Sequence, residues 1–580
     1  MTSPSATEPA AADDSILELP ILIAWLGRFA GPVAAAIVFF VLPSGEEGLS
    51  HSARATAAIG TLMGIWWMSE AWPIAVTSLL PIVLFPLTGV YTADLTPGDS
   101  VQHKHLHFRG ELVAREKIEG SPKPHWRVKI AGPQEPREER LYPAAELQKL
   151  PEGKPIERAA APYADPFVFL YLAGFLLALS MERWNLHRRI ALHTLLFFGT
   201  RPAQLLAGFM AATAAISMWM SNTATTALML PIALSVANLM ADLMRKSRGE
   251  DPPDDAGENN THDPFATSLM LSIAYAATIG GLGTLVGTPT NMYLAGFLKD
   301  RGVEIDFVAW MAIGVPLMLA LLLIMWLLFT QWLFPTSNEE IPGGRHILEL
   351  ELADLGPMSR GEITSVAVFL CTALLWMTRV PLTEWPWLVQ HAPWIKVLDD
   401  PLIGIAGALI LFVIPVDLKA GEFALDWKMA HKLPWDMLLL FGGGLSLAQA
   451  ITATGLDDFI GVQVNAIGGM PPFVALMAVT AIVVFASEIT SNVATNAALL
   501  PILFAAAPRL GLPPLQISIC CTLAASCSFM LPVATPPNTL VFGTGKITTR
   551  QMIGAGYWLN MVSIVLIPLL LTILGPVLFP

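Results

Sequence analysis

Two copies of one short polar motif lie inside apolar stretches of this sequence. They read SNTATTALMLPI at 221–232 and SNVATNAALLPI at 491–502, an offset of 270 residues, and eight of the twelve positions are identical. Hydroxyl and amide groups are costly to bury in apolar surroundings unless they are hydrogen-bonded. Serine and asparagine also cap helices, which would account for one copy. Two copies in register favour a common binding role.

A second polar break follows each motif. It reads GTLVGTPTN at 283–291 and LPVATPPN at 531–538, so both breaks contain the pattern Thr-Pro-x-Asn. Glycine and proline inside an apolar tract can simply kink a helix, but the paired pattern favours unwound helices. The offset between the breaks is only 247 residues, and an acidic surface loop near 249–264 accounts for the longer first half.

Oxygen-bearing groups dominate the motifs and the breaks. Hard cations take oxygen ligands, so we predict one sodium ion in each half. The first half offers side-chain oxygens and the backbone carbonyls of its break, at Ser217, Ser221, Asn222 and near Gly287. The second half offers the same kinds of group at Ser487, Thr490, Ser491, Asn492 and near Ala534.

The same breaks also suit an anion. Helix N-termini present unpaired N–H groups and the positive end of the helix dipole. Side-chain donors stand beside them at Asn222, Thr223, Thr288, Asn492 and Thr535. No Lys, Arg or His occurs at 203–233 or 472–503, so bound cations must balance the charge of an anionic substrate. Ion coupling is therefore predicted to be a requirement of the site.

Glu488 is the one carboxylate at 203–233 or 472–503, the stretches that hold the two motifs. An acidic residue inside a membrane segment is a functional candidate by default. It could carry a coupling proton, or it could cap nearby backbone groups. The sequence leaves both interpretations open.

The elements that position these residues are membrane helices. The chain has 580 residues, is 54% hydrophobic and 14% charged, and has a mean hydropathy of +0.58, unlike a soluble protein. Apolar blocks long enough to cross a bilayer occur at 29–44, 55–72, 74–92, 166–184, 266–297, 305–334, 362–380, 400–417, 434–453, 515–545 and 552–579. Two longer tracts, 202–243 and 471–508, carry the motifs.

The predicted fold is an all-α polytopic membrane protein with about eleven transmembrane helices, two re-entrant hairpins and two inverted-topology repeats. Basic residues at 187–189 and 245–248 flank the first motif tract, which favours a hairpin with both ends on the cytoplasmic side. Asp457 and Asp458 occupy the positions equivalent to His187 and Arg188, so the second half is expected to face the other way. The N-terminus is then cytoplasmic and the C-terminus outside, although Lys299 and Arg301 oppose this topology.

A polar insert interrupts the apolar pattern at 94–160. Short alternating runs at 110–115 and 125–130 predict strands of a small extramembrane β-rich unit, expected on the extracytoplasmic side. His103, His105 and His107 alternate along one run, but no Cys or acidic ligand is placed to complete a metal site, so a solvated edge strand is favoured. No function is predicted for this insert.

Repeated, broken helices are a recurring plan of secondary transporters. We predict scaffold helices at 1–93, the insert at 94–160, and a scaffold helix with an interfacial helix at 161–200. The first half of a transport domain follows at 201–335, a linker with a second scaffold part at 336–458, and the second half of the transport domain at 459–580. A membrane hydrolase is disfavoured because neither motif tract contains a His, and a passive channel suits closed hairpins poorly. The formal net charge of −13 argues against a nucleic-acid partner.

The paired motifs, the ATPPN run at 534–538 and the stretch from APYADP at 161–166 to MERWNLHRR at 181–189 resemble the divalent anion:sodium symporter family, the INDY-like dicarboxylate carriers. The resemblance covers most of the chain except the 94–160 insert and the acidic loop. It implies a homodimer in a bacterial inner membrane, with a fixed scaffold domain and a mobile transport domain that moves as an elevator.

The resemblance also implies residue roles. One sodium site would comprise Ser217, Ser221, Asn222 and the Gly287 carbonyl, and the other would comprise Ser487, Thr490, Asn492 and the Ala534 carbonyl. The substrate carboxylates would meet Asn222, Thr223, Thr288, Ser491, Asn492, Thr535 and the backbone near Pro536. Val493 departs from the doubled motif because it replaces the hydroxyl of Thr223. The choice among C4-dicarboxylate, citrate and sulfate therefore stays open.

The leading hypothesis is a non-enzymatic transporter that imports a C4-dicarboxylate such as succinate, malate or fumarate by sodium symport. Sodium is the coupling ion, and no organic cofactor is expected. The alternatives are a sodium-independent dicarboxylate exchanger, or a symporter of sodium with citrate or sulfate.

Overall fold

A computed structural model describes residues 14–44, 49–91, 100–103, 109–116, 125–130, 139–143, 147–149, 154–199, 201–248, 264–335, 344–457, 459–460 and 471–578. The chain forms two compact units. One comprises Met1–Ala164 and Leu439–Gln463, and the other comprises Asp165–Leu438 and Val464–Pro580. Every predicted site residue belongs to the second unit.

Helices make up most of the first unit. They are α1 (Asp14–Val41), α2 (His51–Met68), α3 (Ile74–Ser78), α4 (Leu80–Leu87) and α5 (Pro155–Ala160). The unit also holds most of a later helix, which begins at Trp435 and ends at Thr454.

Between α4 and α5 lies an antiparallel five-stranded sheet. Its strands are β1 (Ser100–His103), β2 (Arg109–Glu116), β3 (His125–Ile130), β4 (Glu139–Pro143) and β5 (Leu147–Lys149), in the order β4-β3-β2-β1-β5. Both predicted runs of the insert are strands, β2 and β3, which confirms the β-rich insert. Of the three alternating histidines, His103 ends β1, whereas His105 and His107 lie outside the described residues.

The second unit is built of helices. In chain order they are α6 (Pro166–Arg183), α7 (Leu186–Phe198), α8 (Pro202–Ser217), α9 (Asn222–Arg248), α10 (Pro264–Gly281), α11 (Pro289–Lys299), α12 (Phe307–Leu327, continued by a π-helical turn, Leu328–Leu333), α13 (Gly344–Asp354), α14 (Arg360–Glu384), α15 (Pro386–His391) and α16 (Asp400–Val413). After a short ribbon, β6 (Pro415–Asp417) and β7 (Glu422–Phe423), comes the first turn of α17 (Trp435–Thr454), the helix that belongs mostly to the first unit. The second unit then continues with α18 (Pro472–Glu488), α19 (Asn492–Ala506), α20 (Pro514–Ala525), α21 (Pro536–Phe542) and α22 (Thr549–Leu578).

Local sequence fixes where these helices begin. Proline occupies the first turn of α8, α11, α18, α20 and α21, where its missing N–H has no partner to lose and its fixed φ suits a helix. At the start of α14, Ser359 and Glu362 form a reciprocal capping box, with the Glu362 N–H donating to Ser359 Oγ at 3.1 Å and the Ser359 N–H donating to Glu362 Oε2 at 2.7 Å.

Apolar side chains cover the outer faces of these helices. Phe29, Leu323, Ile482 and Ile573 are each more than half exposed, as expected of side chains that face lipid. Within the described ranges, nine helices are long and apolar enough to cross a membrane, and five shorter apolar helices accompany them. The polytopic all-α prediction is confirmed, while the count of eleven crossings, the inverted orientation of the halves and the side of each terminus stay predictions.

The basic patch that marks the predicted cytoplasmic side is largely paired within the second unit. Arg189 Nε donates to Glu362 Oε1 at 2.7 Å, and both side chains are almost fully buried. Arg188 forms an ion pair with Glu351 on α13. These two ion pairs link α7, which lies in the predicted scaffold segment 161–200, to α13 and α14.

Candidate functional site

The first motif forms the turn between α8 and α9. Helix α8 ends at Ser217, and its buried hydroxyl lies 2.8 Å from Asn222 Oδ1 and 2.7 Å from the carbonyl oxygen of Ala277 on α10. Ser221 Oγ accepts a hydrogen bond from the Ala224 N–H at 3.2 Å, so this serine does cap α9. Helix capping therefore accounts for the presence of Ser221. It does not account for the hydrogen bond from Ser217 to Asn222, which fixes the orientation of the Asn222 amide oxygen.

The first break brings a backbone carbonyl close to that amide. A Cβ atom placed on Gly281 would lie 2.7 Å from Asn222 Oδ1 and 3.1 Å from the Gly287 carbonyl oxygen. Both oxygens thus converge on the space that a side chain at position 281 would fill. Ser217, Asn222 and Gly287, three of the four predicted ligands of the first sodium site, lie together here.

Side chains tie down the carbonyls of this break. Asn291 Nδ2 donates to the carbonyl oxygens of Gly281 at 3.0 Å and Thr284 at 2.8 Å. Trp310 Nε1 donates to Leu282 O at 3.0 Å, and the Thr284 hydroxyl bonds the Met218 carbonyl. An unwound segment needs such partners, because buried carbonyls without donors are costly in a membrane protein.

The second half repeats part of this arrangement. Asn538 Nδ2 donates to Leu531 O at 3.0 Å, which is the counterpart of the bond from Asn291 to Thr284. The residues that begin the following helices share one conformation, with φ −144° and ψ 146° at Thr288 and φ −141° and ψ 147° at Thr535. The two Thr-Pro-x-Asn patterns therefore form matching unwound-to-helix junctions, as the sequence predicts.

The serine that precedes the second motif, Ser487, forms a different hydrogen bond from its counterpart in the first half. Ser487, the counterpart of Ser217, donates to Val484 O of its own helix at 2.9 Å. Asn492 Oδ1 instead accepts from Ser528 Oγ at 2.9 Å, and Ser528 stands where the first half has Gly281. The hydroxyl that orients the motif asparagine thus comes from the end of the preceding helix in the first half and from the segment just before the break in the second.

Three further predicted site residues of the second half are Thr490, Ser491 and Ala534. The Thr490 hydroxyl bonds Thr495 and also donates to Ala486 O at 2.8 Å. Ser491 directly precedes α19 and forms no side-chain capping bond with it. Ala534 is buried in the break. The sodium assignment of this half stays a prediction.

Glu488 caps the second break. Its Oε1 accepts from the N–H groups of Phe529 at 2.7 Å and Met530 at 2.9 Å, and its Oε2 accepts from Met530 at 3.1 Å and Leu531 at 3.0 Å. Asn560 Nδ2 on α22 adds a fifth contact, 2.6 Å from Oε1. The sequence allowed Glu488 either to cap backbone groups or to carry a coupling proton. The structure contains the contacts that the capping role requires.

The predicted substrate residues differ in access. Thr223 is exposed, whereas its counterpart Val493 is buried. Thr288 and Thr535 are almost fully buried at the ends of their breaks. The substitution at position 493 therefore changes both the chemistry and the exposure of this position between the halves.

Three residues of the site escaped the sequence analysis: Gly281, Ser528 and Asn560. Gly281 belongs to a Gly-Gly pair just before the first break, and Ser528 belongs to a Ser-Cys-Ser run just before the second. Aligning the halves through the breaks pairs these two positions and would have revealed both. Asn560 carries no such mark, because it lies on a long apolar helix outside both repeated motifs.

Comparison with known proteins agrees with this architecture. Residues 24–579 match the family model described as the sodium:sulfate symporter transmembrane region. The chain belongs to the divalent anion:sodium symporter family. It is a multi-pass integral membrane protein, and the resemblance read from its motifs is confirmed.

The curated relatives of this family member match it along nearly its whole length. It is 35% identical over 553 residues to the sodium-dependent dicarboxylate transporter SdcS of Staphylococcus saprophyticus, covering 95% of this chain and 91% of the relative. It is also 35% identical to SdcS of Staphylococcus aureus strain USA300, over 90% of this chain and 85% of the relative. Both of these relatives are transporters.

Among solved structures, the YdaH transporter of Alcanivorax borkumensis shares the fold. The TM-score is 0.52, and the match covers 88% of this chain and all but 1% of the other. The sequences are only 13% identical, so this likeness concerns architecture alone.

Gly287→Ala is expected to reduce sodium-dependent uptake at least about tenfold. The added Cβ would lie 2.6 Å from the Gly281 carbonyl oxygen and 3.0 Å from that of Met218, both backbone atoms that cannot turn aside. The break must then shift by several tenths of an ångström, and displaced ligand-supporting groups cost roughly 10–100-fold in metal affinity. Uptake as a function of sodium concentration measures the effect.

Gly554→Ala on α22 is the matched control, because nothing lies within 4 Å of a Cβ at that position. Its uptake should equal that of the wild type. Wild-type sodium dependence in Gly287→Ala would show that the tight packing at 287 has no bearing on cation binding.

Proposed function

We propose that this protein is a secondary active transporter that imports C4-dicarboxylates such as succinate, malate and fumarate together with sodium. The 35% identity to sodium-dependent dicarboxylate transporters over nearly the whole chain supports both the ion and the substrate class. The donor chemistry of the two breaks supports the same assignment independently.

The sodium ligands follow from the oxygen atoms that the motifs bring together. In the first half they are Ser217, Ser221, Asn222 and the Gly287 carbonyl. In the second half they are Ser487, Thr490, Asn492 and the Ala534 carbonyl. A small hard cation suits such neutral oxygen cages, because each oxygen contributes a dipole without adding a charge that would repel the substrate.

The substrate lies between the two halves in this proposal. Its carboxylates contact Asn222, Thr223 and Thr288 on one side, and Ser491, Asn492, Thr535 and the backbone near Pro536 on the other. Helices α9, α11, α19 and α21 begin at or directly after these residues, so their dipoles favour an anion there. In α21 the first two residues are prolines and the Asn538 N–H is bonded to Thr535 Oγ1, so this helix contributes its dipole and not free N–H groups.

The convergence of Asn222 Oδ1 and the Gly287 carbonyl on one point is the observation that carries the proposal. These two oxygens can together coordinate a cation, and the motif tracts supply no Lys, Arg or His that could take its place. A dianion bound nearby needs the same positive charge. Sodium and dicarboxylate therefore stabilise each other's binding, which is the physical basis of symport.

The last step of the proposed transport is movement of the site, with sodium and substrate bound, across the membrane. We infer an elevator mechanism in a homodimer, in which a transport domain built from α8 to α12 and α18 to α22 carries both ions across a bacterial inner membrane. The membrane and the second subunit are the remaining partners, and no nucleic acid or organic cofactor takes part.

Uptake of radiolabelled succinate into proteoliposomes tests this function. With an inward sodium gradient, succinate should accumulate above its external concentration. With potassium in place of sodium, uptake should fall to that of protein-free liposomes. Equal uptake in the two salts would contradict sodium symport.

Two further arms separate the alternatives. Counterflow of succinate in sodium-free buffer would identify a dicarboxylate exchanger instead. Competition by unlabelled citrate or sulfate tests the other substrates, and sulfate is included because the matching family model is named for it. A C4-dicarboxylate transporter should be inhibited by malate and fumarate and much less by either of these.

A further inference from the structure

The second motif differs from the first at a buried position next to the site. Thr226 in the first copy donates from Oγ1 to Asn222 O of its own helix at 2.8 Å. The equivalent residue of the second copy is Asn496, which is fully buried on α19, one turn after Asn492. An amide reaches further than a hydroxyl and is both donor and acceptor, so it can bridge to other helices.

The Asn496 side chain bonds away from its own helix. Its Nδ2 donates to the Thr290 carbonyl oxygen at 3.2 Å, in the first turn of α11. Its Oδ1 accepts from Thr522 Oγ1 at 3.1 Å on α20 and receives a weaker contact from Cys521 Sγ at 3.7 Å. One side chain of the second half therefore contacts both α11, the helix that starts in the first break, and α20, the helix that precedes the second break.

A hydroxyl chain extends this bridge to both breaks. Thr290 Oγ1 lies 2.8 Å from Ser526 Oγ, just after α20 ends, and 3.4 Å from Thr288 Oγ1, a proposed substrate contact. Ser526 in turn lies 3.3 Å from the Thr522 carbonyl oxygen. The residues Thr288, Thr290, Asn496, Thr522 and Ser526 form a closed, buried network, which we name the inter-half network. Such networks resist distortion because each broken bond leaves a buried polar group unpaired.

We propose that Asn496 is a positioning residue that couples ligand binding in the two halves of the site. It fixes the start of α11, directly after Thr288, relative to α19, which begins with Asn492. Sodium that organises Asn492 thereby also organises the first-half substrate contacts, and substrate at Thr288 favours sodium in the second half. This inference rests on the proposed sodium-coupled transport of a dicarboxylate.

Asn496→Thr tests the coupling, because it restores the residue of the first copy and its bond to its own helix. The measurement is the sodium concentration that gives half-maximal thermal stabilisation of the purified protein, with and without saturating succinate. In the wild type, succinate should lower that concentration at least about fivefold, the lower bound of ordinary coupling between sites. In Asn496→Thr, the ratio should fall below about twofold.

This ratio separates coupling from simple structural loss. A residue that only stabilises the fold would lower the melting temperature without ligands and leave the ratio unchanged, an outcome that would overturn the proposal. Asn238→Thr, at an exposed position of α9, is the matched control and should keep the wild-type ratio.

If Asn496→Thr does not fold, Thr522→Val is the second variant. It removes the hydroxyl that donates to Asn496 Oδ1 and should also reduce the ratio. An unchanged ratio in Thr522→Val would equally overturn the proposal.

An error in the proposed function would give a different result from an error in the role of Asn496. In that case the wild type itself would show no sodium-dependent stabilisation by succinate and no sodium-driven uptake. A wild-type protein that shows both, with an Asn496→Thr variant that keeps the full ratio, would overturn the role of Asn496 alone.

Discussion

Asn222→Ala and Asn492→Ala are each expected to abolish sodium-driven succinate uptake, with a loss of more than about 100-fold. Each asparagine presents an oriented amide oxygen, fixed by Ser217 in the first half and by Ser528 in the second, and each begins a helix whose N-terminus faces the proposed substrate. Alanine removes a proposed cation ligand and a substrate donor together. Transport in proteoliposomes at saturating sodium measures the loss.

Asn238→Ala separates this effect from a general cost of replacing asparagine. Asn238 lies on the same helix as Asn222, but its side chain is exposed, so the variant should transport like the wild type. Both site variants should remain monodisperse after purification. Full uptake by either of them would refute its assignment to the site.

Glu488→Ala is expected to destabilise the protein by about 4 kcal/mol or more. The carboxylate is the acceptor for the N–H groups of Phe529, Met530 and Leu531 and for Asn560 Nδ2. Glu488, Phe529 and Asn560 are buried, and Met530 and Leu531 are partly buried. Leaving a buried donor unsatisfied costs roughly 1–3 kcal/mol each. The apparent melting temperature in detergent should fall by roughly 5 °C for a unit of this size. An unchanged melting temperature would show that the break does not depend on its acidic cap.

Glu488→Gln distinguishes the cap from a proton carrier. Glutamine keeps the shape but turns one acceptor oxygen into an NH₂ donor, which opposes the N–H groups of the break. A capping role predicts lower stability and lower uptake, with the pH profile of the remaining uptake unchanged. A flattened pH profile with wild-type stability would instead assign proton coupling to this residue. Met218→Leu, at the equivalent position of the first half, is the control for both variants.

The repeated motifs allowed much of this site to be predicted. The turn after Ser217, the helix start at Asn222 and the helix starts after Thr288 and Thr535 all occur where the polar pattern interrupts the apolar one. Proline and capping residues fix these boundaries locally, so no tertiary information was needed. The membrane class follows from composition and the family from the motifs.

Partners contributed by other segments could not be predicted in this way. Ser487 matches Ser217 in sequence, yet its hydroxyl bonds its own helix, and Ser528 orients the asparagine instead. Which hydroxyl reaches an amide depends on the packing of α18 against α20 and on whether position 281 or 528 carries a side chain. The capping of 529–531 by Glu488 likewise depends on the fold, because forty-odd residues separate donor from acceptor.

During synthesis of the chain, the oxygen atoms of the predicted first sodium site can come together before the contacts of Glu488 are complete. Ser217, Asn222 and Gly287 are all present once α11 has been synthesised. The oxygen atoms of the predicted first sodium site can therefore come together before the second half of the chain is translated. Glu488 is different, since one of its donors, Asn560, follows it by 72 residues on α22. Until that helix is inserted, the Glu488 carboxylate lacks one of its five contacts. A nascent chain halted before α22 therefore leaves polar groups of both halves without a partner, because Tyr275 on α10 also bonds the Met552 carbonyl oxygen of α22. Such a chain is a target for quality-control proteases.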